Sequence, residues 1–191
     1  MASETSQKIL AVAEDMVRNR GYSAFSYADI SQQVGIRKAS IHYHFPTKDA
    51  LVRELVQRYR EGMARQCHWI ATSNASLSQQ LIQFANLYRQ GMAQDQICMC
   101  AMLSADFAIL PEPIQAEIQA FFRETVAWLT ALLQQGQDAQ IWDCKPSVEQ
   151  EAQGLIAMLQ GAQLLARSAE NSIDAFEQVM YPLLSAKFSR G

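Results

Sequence analysis

Glycine and proline are scarce, 8 and 5 among 191 residues, which disfavours a β-rich fold with its many tight turns. Charge is thin as well: Asp, Glu, Lys and Arg make up 18% against 49% apolar residues, a balance that excludes a disordered chain. No run of about 18 apolar residues occurs, so no membrane span is expected. A basic, then apolar, then small-residue leader is missing, which points to the cytoplasm. The four cysteines, Cys67, Cys98, Cys100 and Cys144, are then expected as thiols in a reducing compartment. The glycine-rich phosphate loop, the His-Glu-x-x-His pair and the nucleophile elbow of common enzymes are all lacking. Asp106, Glu112 and Glu117 are isolated carboxylates, so no enzyme is expected. His42 with His44, and Cys67 with His68, lack the four convergent ligands that zinc requires. Neither a metal nor a cofactor is expected.

What is plentiful favours helix: alanine, leucine and glutamine. Ile9, Leu10, Ala13, Met16 and Val17 share one face of a helix over 5–20 that Gly21 stops. Ser26 and Asp29 form a capping box for a short second helix to about Val34. Gly35 permits a tight turn, and a third short helix spans 37–44 before Phe45 and Pro46. A fourth begins near Lys48, a fifth after Ser76, and a sixth covers 97–109 up to the break at Pro111-Glu112-Pro113. The seventh is long and nears its end at Gly136, with 137–145 as a linker. An eighth starts at Pro146-Ser147 and a ninth near Ser172, where Pro182 is expected to kink or weaken the helix. The chain reads as all-α with about nine helices.

Three short helices joined by tight turns are the plan of a helix-turn-helix unit. Its third helix enters the major groove and exposes polar side chains early. Arg37, Lys38 and Ser40 do so, while Ile36 and Ile41 face a small core with Ala28, Ile30 and Val34. The whole chain carries −3, but residues 1–48 carry +2 and residues 49–191 carry −5. A nucleic-acid reader needs only such a local basic region.

Ser26-Tyr27-Ala28-Asp29-Ile30, Val34-Gly35-Ile36 and the run from Lys38 through Tyr43-His44-Phe45-Pro46-Thr47-Lys48-Asp49-Ala50-Leu51 together resemble the DNA-binding signature of the TetR (tetracycline-repressor) family. Ala39 stands where the family usually has glycine or alanine, and His42 where many members carry an aromatic residue. The resemblance implies a sequence-specific regulator, usually a repressor, that binds double-stranded operator DNA as a homodimer. It implies that Ser26 and Tyr27 meet phosphate, that Arg37, Lys38 and Ser40 reach base edges, and that Tyr43, His44 and Lys48 clamp the backbone. The division expected is a DNA-binding domain over 1–48 and an effector-binding and dimerisation domain over 49–191.

Beyond about residue 55 the resemblance is one of plan only. Phe84, Tyr88, Met92, Met99, Met102, Phe107, Phe121, Phe122 and Trp128 are candidates to line a cavity between helices for an apolar or amphipathic small-molecule effector. Ordinary core filling is the competing reading for each. Gly154, Ala157, Gly161 and Ala162 in the eighth helix fit a close helix–helix contact, and the family places its dimer interface there. The cysteines leave one alternative, an oxidant- or electrophile-sensing repressor using Cys98 and Cys100, against which stands their reading as small buried hydrophobes. A helical protein-interaction adaptor is the alternative without DNA, and the basic third helix argues against it.

Overall fold

A computed structural model describes residues 3–188. Those residues hold nine α-helices and no strand: α1 Glu4–Arg20, α2 Tyr27–Val34, α3 Lys38–His44, α4 Lys48–Ala71, α5 Leu77–Met92, α6 Met99–Ala105, α7 Glu112–Asp138, α8 Val148–Ala166 and α9 Ser172–Phe188. The all-helical expectation is met, and so are most helix starts. Ser3, Ser26, Ser76 and Ser147 each accept a backbone N–H at an N-cap. Ser26 with Asp29, and Ser76 with Gln79, close reciprocal capping boxes.

Packing divides the chain into two compact units, residues 1–61 with 99–121, and residues 62–98 with 122–191. In the first, α1, α2 and α3 pack on one another and α6 packs on α1. Ile9, Ala13, Val17, Ile30, Ile41, Leu51 and Val52 make its fully buried centre. In the second, α5, α8 and α9 pack together around Phe84, Leu129, Leu133, Phe176 and Met180. None of the helices described is long and apolar enough to cross a membrane.

One helix boundary is corrected. The sixth helix is shorter than 97–109. It stops at Ala105, and Phe107–Ile109 forms a separate 3₁₀ turn, closed by bonds from Ile109 N–H to Asp106 and from Leu110 N–H to Phe107. The break expected around Pro111-Glu112-Pro113 falls at Leu110 and Pro111, because α7 starts at Glu112 with Pro113 in its first turn, where a missing N–H costs nothing. Pro182 lies inside α9, which runs on through it to Phe188.

Gly136 lies near the end of α7, as expected, and has a second role. Helix α7 continues past it to Asp138, and the following segment folds Trp142 back into the core. The indole N–H donates to the Leu133 carbonyl at 2.7 Å. A Cβ on Gly136 would lie 2.0 Å from the indole ring, so the glycine is a slot for tryptophan. Gly136→Ala is therefore expected to destabilise by about 1–3 kcal/mol, as overpacking does, although helix propensity alone favours alanine by about 1 kcal/mol. A urea midpoint that stays level or rises would show that the indole leaves its slot without cost.

Candidate nucleic-acid interface

Among residues 3–48 several polar side chains are bonded within the chain, while Lys38 and Tyr43 on α3 are exposed. Helix α1 ends at Gly21, whose φ of 83° lies in the region that favours glycine. The turn between α2 and α3 is set by Gly35 at φ 75°, ψ 32°, a left-handed residue. Nothing lies within 4 Å of a Cβ built there, so backbone angle rather than space calls for glycine. The Ser31 hydroxyl then donates to the Ile36 carbonyl across the turn.

Helix α3 is held from one side. Ile41 is fully buried against the core that contains Ile30, and Phe45 is buried just beyond the helix. Val34 and Ile36 are half-buried, and Ala28, expected inside, is exposed. Arg37, Lys38, Ala39, His42 and Tyr43 are exposed; Ser40 and His44 are half-buried. Arg37 sits at the N-cap position and its side chain makes no capping bond. The guanidinium is thus not used to start the helix. Ser40, expected at base edges, is thus less open than Arg37 and Lys38.

Several residues of this segment, some of them expected at phosphate, are bonded within the chain. Tyr27 is buried, and its hydroxyl donates to the Phe45 carbonyl at 2.8 Å. Burial, with the nearby charge of Asp49, pushes that phenol up to about 12. The Ser26 hydroxyl caps α2, accepting from Ala28 N–H and donating to Asp29 at 2.7 Å. His42 turns its Nδ1 towards the Pro46 carbonyl, 3.2 Å away, and its ring lies edge-on to Tyr27 with centroids 4.8 Å apart.

Lys48 shows the largest change. Its Nζ donates to the carbonyls of Tyr22 and Phe25, both at 2.6 Å. It also lies 4.5 Å from the Tyr22 ring centroid and 4.2 Å from that of Phe25. Desolvation lowers its pKa, opposed by the charges of Asp49, Asp106 and Asp29. The Tyr22 hydroxyl donates to the Asp49 carboxylate, and burial with that bond pushes the phenol up to about 12. Two of the three ammonium donors are thus committed to the chain, so the geometry makes Lys48 a positioning residue before it makes it a phosphate ligand.

The expected effector-site residues fall in both compact units. Phe84, Tyr88 and Met92 are buried in the second, where Phe84 meets Tyr88 at 5.5 Å and Trp128 at 5.1 Å between centroids. Trp128 and Phe122 are half-buried there. Met99, Met102, Phe107 and Phe121 belong to the first unit; Met99 and Phe121 are buried and the other two half-buried. Phe122 lines an open groove of about 540 Å3 on α7 and α8 with Arg123, Val126, Ala127, Thr130, Glu149 and Gln153. All four cysteines are buried. Burial pushes the Cys67 thiol up to about 12, and the Cys98 backbone N–H donates to the Gln163 side chain. Buried thiols favour packing over sensing.

Gln163 itself was not anticipated. It is 1% exposed, its amide donates to the Tyr88 carbonyl at 2.7 Å, and its oxygen accepts from Cys98 N–H at 3.1 Å. A glutamine on the apolar side of a leucine-rich helix was the available signal. On the same helix, Gly154 and Ala157 are exposed and Gly161 is half-buried. Ala162 is corrected: it is 3% exposed and belongs to the core, because one residue step turns a helix by about 100°.

Residues 9–55 match the family model described as bacterial regulatory proteins, tetR family. A solved transcriptional regulator of the TetR family from Agrobacterium tumefaciens is 33% identical and superimposes with a TM-score of 0.91, covering 97% of this chain and 98% of that one. The transcriptional regulator LmrA of Bacillus subtilis is 24% identical over 174 residues, 88% of this chain and 89% of that protein. CymR of Pseudomonas putida is 31% identical over 72 residues, spanning 34% of this chain and 36% of that regulator.

Lys48→Met is expected to lower stability by about 1–2 kcal/mol by leaving two carbonyls without their donor. DNA affinity falls with it while the salt dependence keeps its slope. A slope shallower by about 0.9 for each lost contact would return Lys48 to the phosphate backbone.

Proposed function

Because the chain belongs to the TetR family of bacterial transcriptional regulators, DNA-binding proteins of repressor type rather than enzymes, we propose that it is a ligand-released homodimeric repressor of a palindromic operator. The observation that carries this reading is the exposed face of α3, where Arg37 and Lys38 begin the helix and neither makes a capping or ion-pair contact in the structure described. Arginine and lysine donate to guanine O6 and N7 in the major groove. The hydroxyl of Tyr43, 84% exposed, is proposed to meet the phosphate backbone together with Ser26 and His44, while Arg37 and Lys38 face the base edges. The functional division is 1–48 for DNA and 49–191 for effector and dimer, with α4 running from one into the other.

The dimer reading rests on α8 and α9. A Cβ on Gly154 or Gly161 would meet nothing within 4 Å. Leu164 and Leu165 are 55% and 72% exposed on α8, and Val179 and Leu183 are exposed on the neighbouring α9. Gly154, Ala157, Gly161 and Leu164 follow one another at helical spacing, so small residues and leucines share one side. A two-fold pairing of these helices buries that side and sets two α3 helices on successive half-sites.

The effector is proposed to be an apolar or amphipathic small molecule taken up among the aromatic residues of the effector domain, Phe84, Tyr88 and Trp128 foremost. It releases DNA only by binding one arrangement of α4 more tightly than the other.

Three measurements test this reading. A gel shift on DNA flanking the gene is expected to show sequence-dependent retardation that unlabelled random DNA does not abolish. Arg37→Ala is expected to cost about 1–3 kcal/mol and to relax the preference at one base pair per half-site. Gly154→Leu has room within the single chain, so it is expected to leave the helical signal intact and shift sedimentation towards the monomer. A Gly154→Leu protein that sediments as a dimer and binds operator at full strength would remove α8 from the interface.

A further inference from the structure

We propose that Ala39 and Tyr43 form a thymine-methyl reader on α3, so that each operator half-site is recognised partly through the 5-methyl group of one thymine. This rests on the reading of α3 as the recognition helix and adds the chemistry of one of its contacts.

The inference comes from which groups α3 leaves available. Ile41 is committed to the core, and Ser40 and His44 are half-buried on its flanks. His42 is drawn towards Tyr27 and the Pro46 carbonyl. What remains on the open side after the charged start at Arg37 and Lys38 is Ala39 and Tyr43. They are four residues apart, so they are neighbours on the helix surface. Tyr43 is 84% exposed, with its ring edge-on to His44 at 5.1 Å.

A methyl and a phenol ring side by side make an apolar notch in a helix face that is otherwise cationic. The major-groove edges of the bases carry donors and acceptors, and only thymine also offers an apolar group. Against cytosine or adenine the notch would cover an amino group without giving it an acceptor, which costs binding. Against thymine it covers a methyl. The pair thus selects thymine both by contact and by penalising its competitors. Hydrogen bonding by the Tyr43 hydroxyl is not needed for this selection, which leaves that group to a phosphate.

The test uses the full-length protein and an operator selected from random duplexes. Each thymine is replaced in turn by deoxyuridine, which removes the methyl and keeps the base pair. At one thymine per half-site the Kd is expected to rise about fourfold, the effect of one buried methyl-sized group, and roughly fifteenfold when both half-sites are changed. At that position the thymine-to-uracil ratio is expected to fall to about one in Ala39→Gly and in Tyr43→Ala, while Tyr43→Phe keeps it. If deoxyuridine is neutral at every position and binding stays sequence-specific, the methyl reader is overturned and the operator reading stands. If the ratio persists in both variants, another residue reads the methyl. If selection returns no preferred sequence, the recognition-helix reading itself fails.

Discussion

The DNA-binding unit depends on one cation held at the start of α4. A lysine in the first turn of a helix is electrostatically unfavourable, because the exposed N–H groups there already present partial positive charge. Lys48 occupies that place with two carbonyls at 2.6 Å and two aromatic faces around its ammonium. Asp49 follows it and accepts from Tyr22. The arrangement ties the 21–26 segment, which joins α1 to α2, to a helix 22 or more residues later. Together with the bond from Tyr27 to Phe45, it fixes both ends of the α2–α3 pair. This matters because α2 has 8 residues and α3 has 7, lengths at which an isolated helix does not persist in water.

The same constraint explains why the binding face looks as it does. Polar groups in this small unit divide into those that hold the fold and those that do not. Tyr27, Lys48, Ser26 and Ser31 belong to the first set, each satisfied by a backbone group or a cap. Arg37 and Lys38 at the head of α3, and the Tyr43 hydroxyl along it, belong to the second. A residue that anchors backbone in the protein has fewer donors for DNA, so contact is expected from side chains that add little to stability. Substitutions in the two sets then have separable consequences, on folding for one and on recognition for the other.

Local signals in the sequence were legible and distant ones were not. Ser26 with Asp29, the helix start after Ser76 and the tight turn at Gly35 all act within five residues, and each occurs in the structure as expected. Apolar spacing correctly placed Ile9, Ala13, Val17, Ile30 and Ile41 inside. The role of Lys48 was not legible, because its partners lie 23 and 26 residues away. Trp142 in the slot at Gly136 was hidden for a different reason. A glycine near a helix end reads as a terminator, and only the returning segment shows what fills the space. Ala162 was misplaced by a single residue step, since the sequence shows a small residue but not the side it faces.

The helical glycines carry that last point further. Gly136, Gly154 and Gly161 each sit inside a helix, where glycine is less favourable than alanine by about 1 kcal/mol. For Gly136 the compensation is visible: an indole stands where a Cβ would be. For Gly154 and Gly161 the space beside the backbone is empty, and Gly154 is exposed. No neighbour among the described residues accounts for either. Exposed Leu164 and Leu165 continue the same helix, so the side that carries the unexplained glycines also carries apolar surface without a cover. A second copy of α8 packed closely against the first would account for both features with one contact.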